Sequence, residues 1–281
     1  MRPSPSSESG KISFLPREHG ATAMLLSPFV CSAILVRSLH WAELAAFAVI
    51  FLAFAAKDPF IAVARQKLVW KQQREEAAIA AKWLAMEIPI LVIAGTLLLW
   101  RGPLLPYLIL GTGAAAFGVI AVFVNVKNKQ RSEWFQVASA IALTSTSLLP
   151  CLAAQQHIPR WGWLLWILCA LQATAGIFVV HARLDARIAA KQNKPAPTAN
   201  RNATAVAAAA LWTAAIAFGY FGFSWVAVGL AIAGAAYFAE LRRQKDAASL
   251  QMPLAQVGRQ SLTLSVLYGV LIIAGLWSIA G

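Results

Sequence analysis

Residues 161–181, WGWLLWILCALQATAGIFVVH, run without a single Asp, Glu, Lys or Arg. A bilayer hydrocarbon core needs about 20 such residues when they are wound as a helix. Outward from this stretch, apolar runs of similar length recur at about 20–38, 41–60, 83–100, 104–126, 134–154, 203–219, 221–239 and 261–280. Composition agrees, because 59% of the 281 residues are hydrophobic and only 12% are charged, with a mean hydropathy of +0.65. Soluble domains carry about 25% charged residues, which they need to coat a water-facing surface. The run lengths and the Ala and Leu content favour helices, since a lipid-exposed strand leaves backbone groups unpaired unless a barrel closes. The expected fold is all-α, a polytopic membrane bundle of nine transmembrane helices. Residues 1–17 are read as a polar tail and 18–281 as one transmembrane helical domain.

Lys and Arg set the orientation. Of the 24, 21 fall in the tail and in the loops after spans two, four, six and eight, leaving Arg37, Arg101 and Arg160 on the other side. Positive loops stay in the cytoplasm, so the N-terminus is expected inside and the C-terminus outside. The net charge of +13 then reflects topology and anionic headgroups, and no nucleic-acid partner is implied. The first twenty residues lack an apolar core, so no cleavable signal peptide is expected. Trp41, Trp83, Trp100, Trp161, Trp163 and Trp225 fall at span ends, where interfacial anchors sit.

Motifs of soluble enzymes are missing. The sequence has no Walker loop, no GxGxxG, no HExxH and no GxSxG. Cys31, Cys151 and Cys169 show neither disulfide nor metal spacing, and the histidines fall on both sides, so no metal and no cofactor is expected. No catalytic residue is assigned. No ionisable residue falls at the middle of a span, and Glu87 comes closest, to be held in an ion pair or to act as a functional carboxylate. Thr144, Ser145, Thr146 and Ser147, with Gln172 and Thr174, suit interhelical hydrogen bonds. Pro28, Pro89 and Pro106 are read as kinks within continuing helices.

The inner loops carry the more specific pattern. Arg183 and Arg187 share one helix face at i, i+4, and His181 and Asp185 share the neighbouring one. Lys127 and Arg131 repeat this spacing after span four, beside Asn125 and Asn128. Residues 57–83, KDPFIAVARQKLVWKQQREEAAIAAKW, form an amphipathic stretch suited to the interface. Guanidinium and ammonium groups at a polar–apolar boundary fit the phosphate of a hydrophobic molecule, and they equally fit ordinary membrane headgroups. Convergence of Glu18, His19, Asn128, Arg131, His181, Arg183 and Arg187 on one inner-face pocket would bind an anionic amphiphile, an isoprenoid or lipid phosphate, with membrane lipids as the general partner.

Pro16-Arg17-Glu18-His19-Gly20-Ala21-Thr22-Ala23-Met24-Leu25-Leu26 resembles the N-terminal signature of the YwiC-like family of bacterial membrane proteins. Asn128-Lys129-Gln130-Arg131-Ser132-Glu133 and Val180-His181-Ala182-Arg183-Leu184-Asp185-Ala186-Arg187 fall where that family carries Asn/Arg and Arg-rich stretches. The resemblance implies a multi-pass protein of the bacterial inner membrane and brings no settled activity with it. The span count is also similar to the UbiA prenyltransferase superfamily, which holds magnesium on an isoprenyl diphosphate with Asp-rich motifs after spans two and six. Here Asp58, Glu75, Glu76 and a lone Asp185 occupy those loops without clustering, so basic residues replace the metal or the prenyl-transfer chemistry is absent. A small-solute or lipid transporter is the further alternative, and it would call for charge at the midplane.

Overall fold

The computed structural model describes residues 19–38, 40–70, 75–130 and 132–280. Among these residues the chain is helical throughout, with no strand. In order, the helices are α1 (His19–Val36), α2 (Trp41–Ala55), α3 (Lys57–Arg65), α4 (Glu75–Arg101), α5 (Leu104–Val126), α6 (Glu133–Thr144) and α7 (Leu148–Gln155). There follow α8 (Arg160–Gln192), α9 (Ala199–Tyr220), α10 (Ser224–Arg243), α11 (Ala247–Leu250) and α12 (Leu254–Leu276). Eight segments are long and apolar enough to cross a membrane, and the shorter apolar Gly20–Val36 adds to them. The protein is a polytopic helical membrane bundle.

Two spans are built from more than one helix, and proline chemistry accounts for the joints. Pro150 lacks an N–H and crowds the carbonyl four residues back, at Thr146. There the fifth span tightens into a 3-10 turn, Ser145–Ser147, between α6 and α7. Pro59 falls just after the join of α2 and α3, and a π-helical turn, Gln66–Trp70, extends that span beyond its expected end. Pro28 and Pro89 lie within the uninterrupted α1 and α4, whereas Pro106 falls in the first turn of α5, where its missing N–H interrupts no helical hydrogen bond and the expected kink is corrected.

Two apolar cores hold the bundle. Leu35 of α1, Leu165 and Leu168 of α8, Leu211 of α9, Leu230 of α10 and Ile272 of α12 pack in one. Leu25 and Phe29 of α1, Ala46 and Ile50 of α2, Leu98 of α4, Tyr107 of α5 and Leu152 of α7 form the other. Helix α1 belongs to both and joins them. Helices α4 and α5 turn most of their surface outward, with Ile93 and Ile109 each 61% exposed. Apolar side chains facing outward are what lipid requires.

Polar groups inside the spans link helices. Gln172 Nε2 donates to Tyr237 Oη at 3.0 Å and Ser265 Oγ at 3.1 Å, and Thr146 Oγ1 donates to Leu25 O at 2.7 Å. Trp100 is 80% exposed and suits an interfacial anchor, whereas Trp161 is only 5% exposed. The expectation for Trp161 is corrected: it fills the core of α8 to α12 together with Cys151. Its place is taken at the other interface by Trp134, exposed at the start of α6.

Candidate functional site

The basic end of α8 carries three of the expected residues, and helix periodicity distributes them over two faces. His181 and Asp185 face α6 and α9. His181 Nε2 lies 2.9 Å from Gln136 Oε1, and Asn200 Nδ2 donates to both Asp185 Oδ2 at 2.7 Å and Glu133 Oε1 at 2.8 Å. Glu133 and Gln136 are one turn apart on α6, which matches the one-turn spacing of Asp185 and His181 on antiparallel α8. Asn200 is buried, and its single amide bridges the two half-buried carboxylates.

Arg183 and Arg187 take the other face. Arg183 is 3% exposed and forms an ion pair with Glu240 of α10, and its Nη2 donates to Ser249 O at 2.6 Å. Ser249 belongs to α11, whose first turn is capped by the Asp246 carboxylate accepting from Ala248 N and Ser249 N. The guanidinium therefore clamps α8 to α10 and α11. Among the described residues its Nε has no acceptor, and neither does the buried Nη1 of Arg187 one turn further along. A buried donor without an acceptor costs the desolvation of that group, which an anion would offset.

Asn128 lies in a different network. It adopts a left-handed φ of +54° just past the end of α5, a conformation asparagine tolerates better than most residues. Its N–H donates to Asn125 O and the Lys129 N–H donates to Val124 O, a Schellman cap. Arg65 from α3 completes the cap, with Nη2 at 2.9 Å from Asn125 O and 3.3 Å from Asn128 Oδ1. Helix α6 stands between this cap and α8, joined to α5 by a Phe117–Phe135 ring stack at 5.9 Å and packed on α8 along its length. Asn128 and the α8 arginines are thus held by separate partners. His19 is the first residue of α1, while Glu18 and Arg131 lie outside the described residues.

Over residues 15–151 the chain matches the family model described as YwiC-like protein, and it is similar to that family over this stretch. The YwiC-like stretch runs from ahead of α1 into α7 and so contains Glu18, His19, Asn128 and Arg131. The arginines of α8 lie beyond it. No curated protein and no solved structure matches the chain.

Three features lie outside the expected site. Glu133 and Asp185 meet although they stand on different loops, and no periodicity announces a contact between separate helices. Glu240 and Ser249 as partners of Arg183 are equally long-range. Glu43 is 2% exposed with neither carboxylate oxygen hydrogen-bonded. Its sequence signal was available, an acid just inside a span, but so near the end it reads as an interfacial charge. Glu87 forms no ion pair among the described residues, and its Oε2 is buried without a donor.

Proposed function

We propose that this protein binds an anionic amphiphile, an isoprenoid or lipid phosphate, at the basic end of α8. The observation that carries the reading is the pair of water-excluded guanidinium donors, Arg183 Nε and Arg187 Nη1, that have no acceptor among the described residues. A phosphate offers several acceptor oxygens to such donors, and its apolar tail would lie along the lipid-facing surface of the bundle. In this reading Arg187 is the principal contact, because Arg183 is already engaged by Glu240. Glu18, His19 and Arg131 would contribute at the rim, whereas Asn128 is engaged by Arg65 and His181 by Gln136 on the other face of α8. The Lys and Arg asymmetry supports the basic end as the cytoplasmic end, and the resemblance to YwiC-like proteins supports the bacterial inner membrane as the location.

Native mass spectrometry of the detergent-purified protein with a long-chain lipid phosphate tests the proposal. Arg187→Gln is expected to weaken binding by about tenfold, roughly 1.4 kcal/mol. Arg187→Lys should also weaken it, because an ammonium lacks the planar fork. Equal binding by wild type and both variants would defeat the reading.

A prenyltransferase-like enzyme is the second reading, favoured by the meeting of Glu133 and Asp185 at Asn200. Two carboxylates at one point are part of what a magnesium diphosphate site requires. Binding of a prenyl diphosphate that survives EDTA supports the metal-free site. Binding abolished by EDTA and restored by magnesium supports the enzyme.

A further inference from the structure

Glu43 lies at the end of the bundle opposite the basic loops, in the first turn of α2. Acids at this position of a helix commonly reach back to the N-cap amide while remaining in water. Glu43 does not. It is 2% exposed, and neither carboxylate oxygen has a hydrogen-bond partner among the described residues. Around it stand other groups removed from water. Ser32 Oγ of α1 lies 3.4 Å from Cys151 Sγ of α7, both fully buried, and α7 packs against α2. One turn deeper, the Ser147 hydroxyl is fully buried and also has no partner.

Among the residues whose side chains are described, none forms an ion pair with Glu43. At the N-cap of α2, His40 is exposed. From α1, Arg37 is turned away, its guanidinium 4.1 Å over the Trp277 ring and donating to Trp277 O. From α7 there is the Cys151 thiol, and from α5 the buried Tyr107 in the adjoining core. Lys57 and Asp58 of α3 pair with each other at 3.8 Å at the far end of the span. Arg101 is the last residue of α4. An ionised carboxylate with neither a donor nor a counter-ion is among the costliest groups an interior can hold, and the cost is removed by adding a proton. Ionisable residues in such positions within membrane helices mark proton and ion pathways.

We propose that Glu43 is a proton-binding site, loaded past His40 from the end of the bundle opposite the basic loops. The proton comes from bulk water, passes the exposed imidazole and forms the O–H bond of the Glu43 carboxylic acid, with no other bond made or broken. The arrangement suits a protein whose packing of α1, α2 and α7 responds to a proton on one side of the membrane. It stands independently of any ligand at the basic end.

Infrared spectroscopy of the full-length protein in detergent decides the matter, with the proton itself as the probe. At neutral pH the wild-type protein should show the carbonyl band of a protonated carboxyl. In a Glu87→Gln background, which removes the other carboxyl with an oxygen buried without a donor, Glu43→Gln should lose that band, whereas Asp185→Asn should keep it. His40→Gln should retain the band and slow its isotope shift in D2O. Superimposable spectra with and without Glu43→Gln in that background would overturn the proposal and leave Glu43 an ionised capping carboxylate. Should Glu43→Gln fail to accumulate, a wild-type spectrum without the band overturns it equally, and a band that survives in both control variants supports it.

Discussion

Arg183 and Glu240 form an ion pair between α8 and α10, with side chains only 3% and 12% exposed. Removing one partner strands the other in a poorly solvated place, which costs about 3–5 kcal/mol for buried pairs. Glu240→Gln and Arg183→Gln are therefore expected to lower the thermal unfolding temperature in detergent markedly. Replacing both residues by Leu should recover much of the loss, because no charge is then left unpaired. Single variants within about 0.5 kcal/mol of wild type would mean that water reaches the pair.

Asn200 is the donor shared by Glu133 and Asp185, at 2.8 and 2.7 Å. Without it the two carboxylates face each other with one common source of relief gone, and like charges at close range disfavour the fold. Asn200→Ala should destabilise the protein by about 1–3 kcal/mol. Asp185→Asn in the same chain should restore part of that loss by removing one charge and supplying an amide. If the double variant unfolds earlier than Asn200→Ala, repulsion between the carboxylates is not the reason for the loss.

The spans were legible because their signal is local. A run such as 161–181 has no charge to interrupt it, and α8 begins at Arg160, one residue before the expected start. The i, i+4 grouping of Arg183 with Arg187 and of His181 with Asp185 was legible for the same reason, since 3.6 residues per turn fixes which side chains share a face. What those faces meet was not legible. Glu240 is 57 residues from Arg183 in sequence, and Asn200 is 67 from Glu133. The placement of Asn128 beside Arg65 depends on α3 packing against α5, which no composition or period reveals. Glu43 escaped notice because depth in a membrane is read from sequence only along the helix. The packing of α4 and α7 on α2 acts across it.

The arrangement of spans predicts sidedness. Reporter fusions after Lys71, Lys129, Lys191 and Lys245 should report the cytoplasm, and fusions after Arg101 and Arg160 the opposite side. The composite spans sharpen the test, since α6 and α7 must cross as one element despite the 3-10 turn at Ser145–Ser147. Two or more reversed reporters would break the alternation on which the nine-span reading depends.

Gly275 sets how closely α12 approaches α10. A Cβ at that position would stand 2.5 Å from Val226 Cγ2 and 2.8 Å from the Val226 backbone nitrogen. Val226 is fully buried, so neither its side chain nor its backbone has open space to retreat into. Gly219 in α9 makes the control, because a Cβ there meets only Ala227 Cβ at 3.7 Å, an ordinary contact. Exchanging Gly for Ala in a helix gains about 1 kcal/mol of propensity, which Gly219→Ala should keep as an unchanged or slightly raised unfolding temperature. At Gly275 overpacking costs about 1–3 kcal/mol and should outweigh the gain. Gly275→Ala is thus expected to unfold earlier than Gly219→Ala in the same detergent. Coincident unfolding of the two would show that α10 and α12 separate freely, and that the close approach at Val226 is not what holds them.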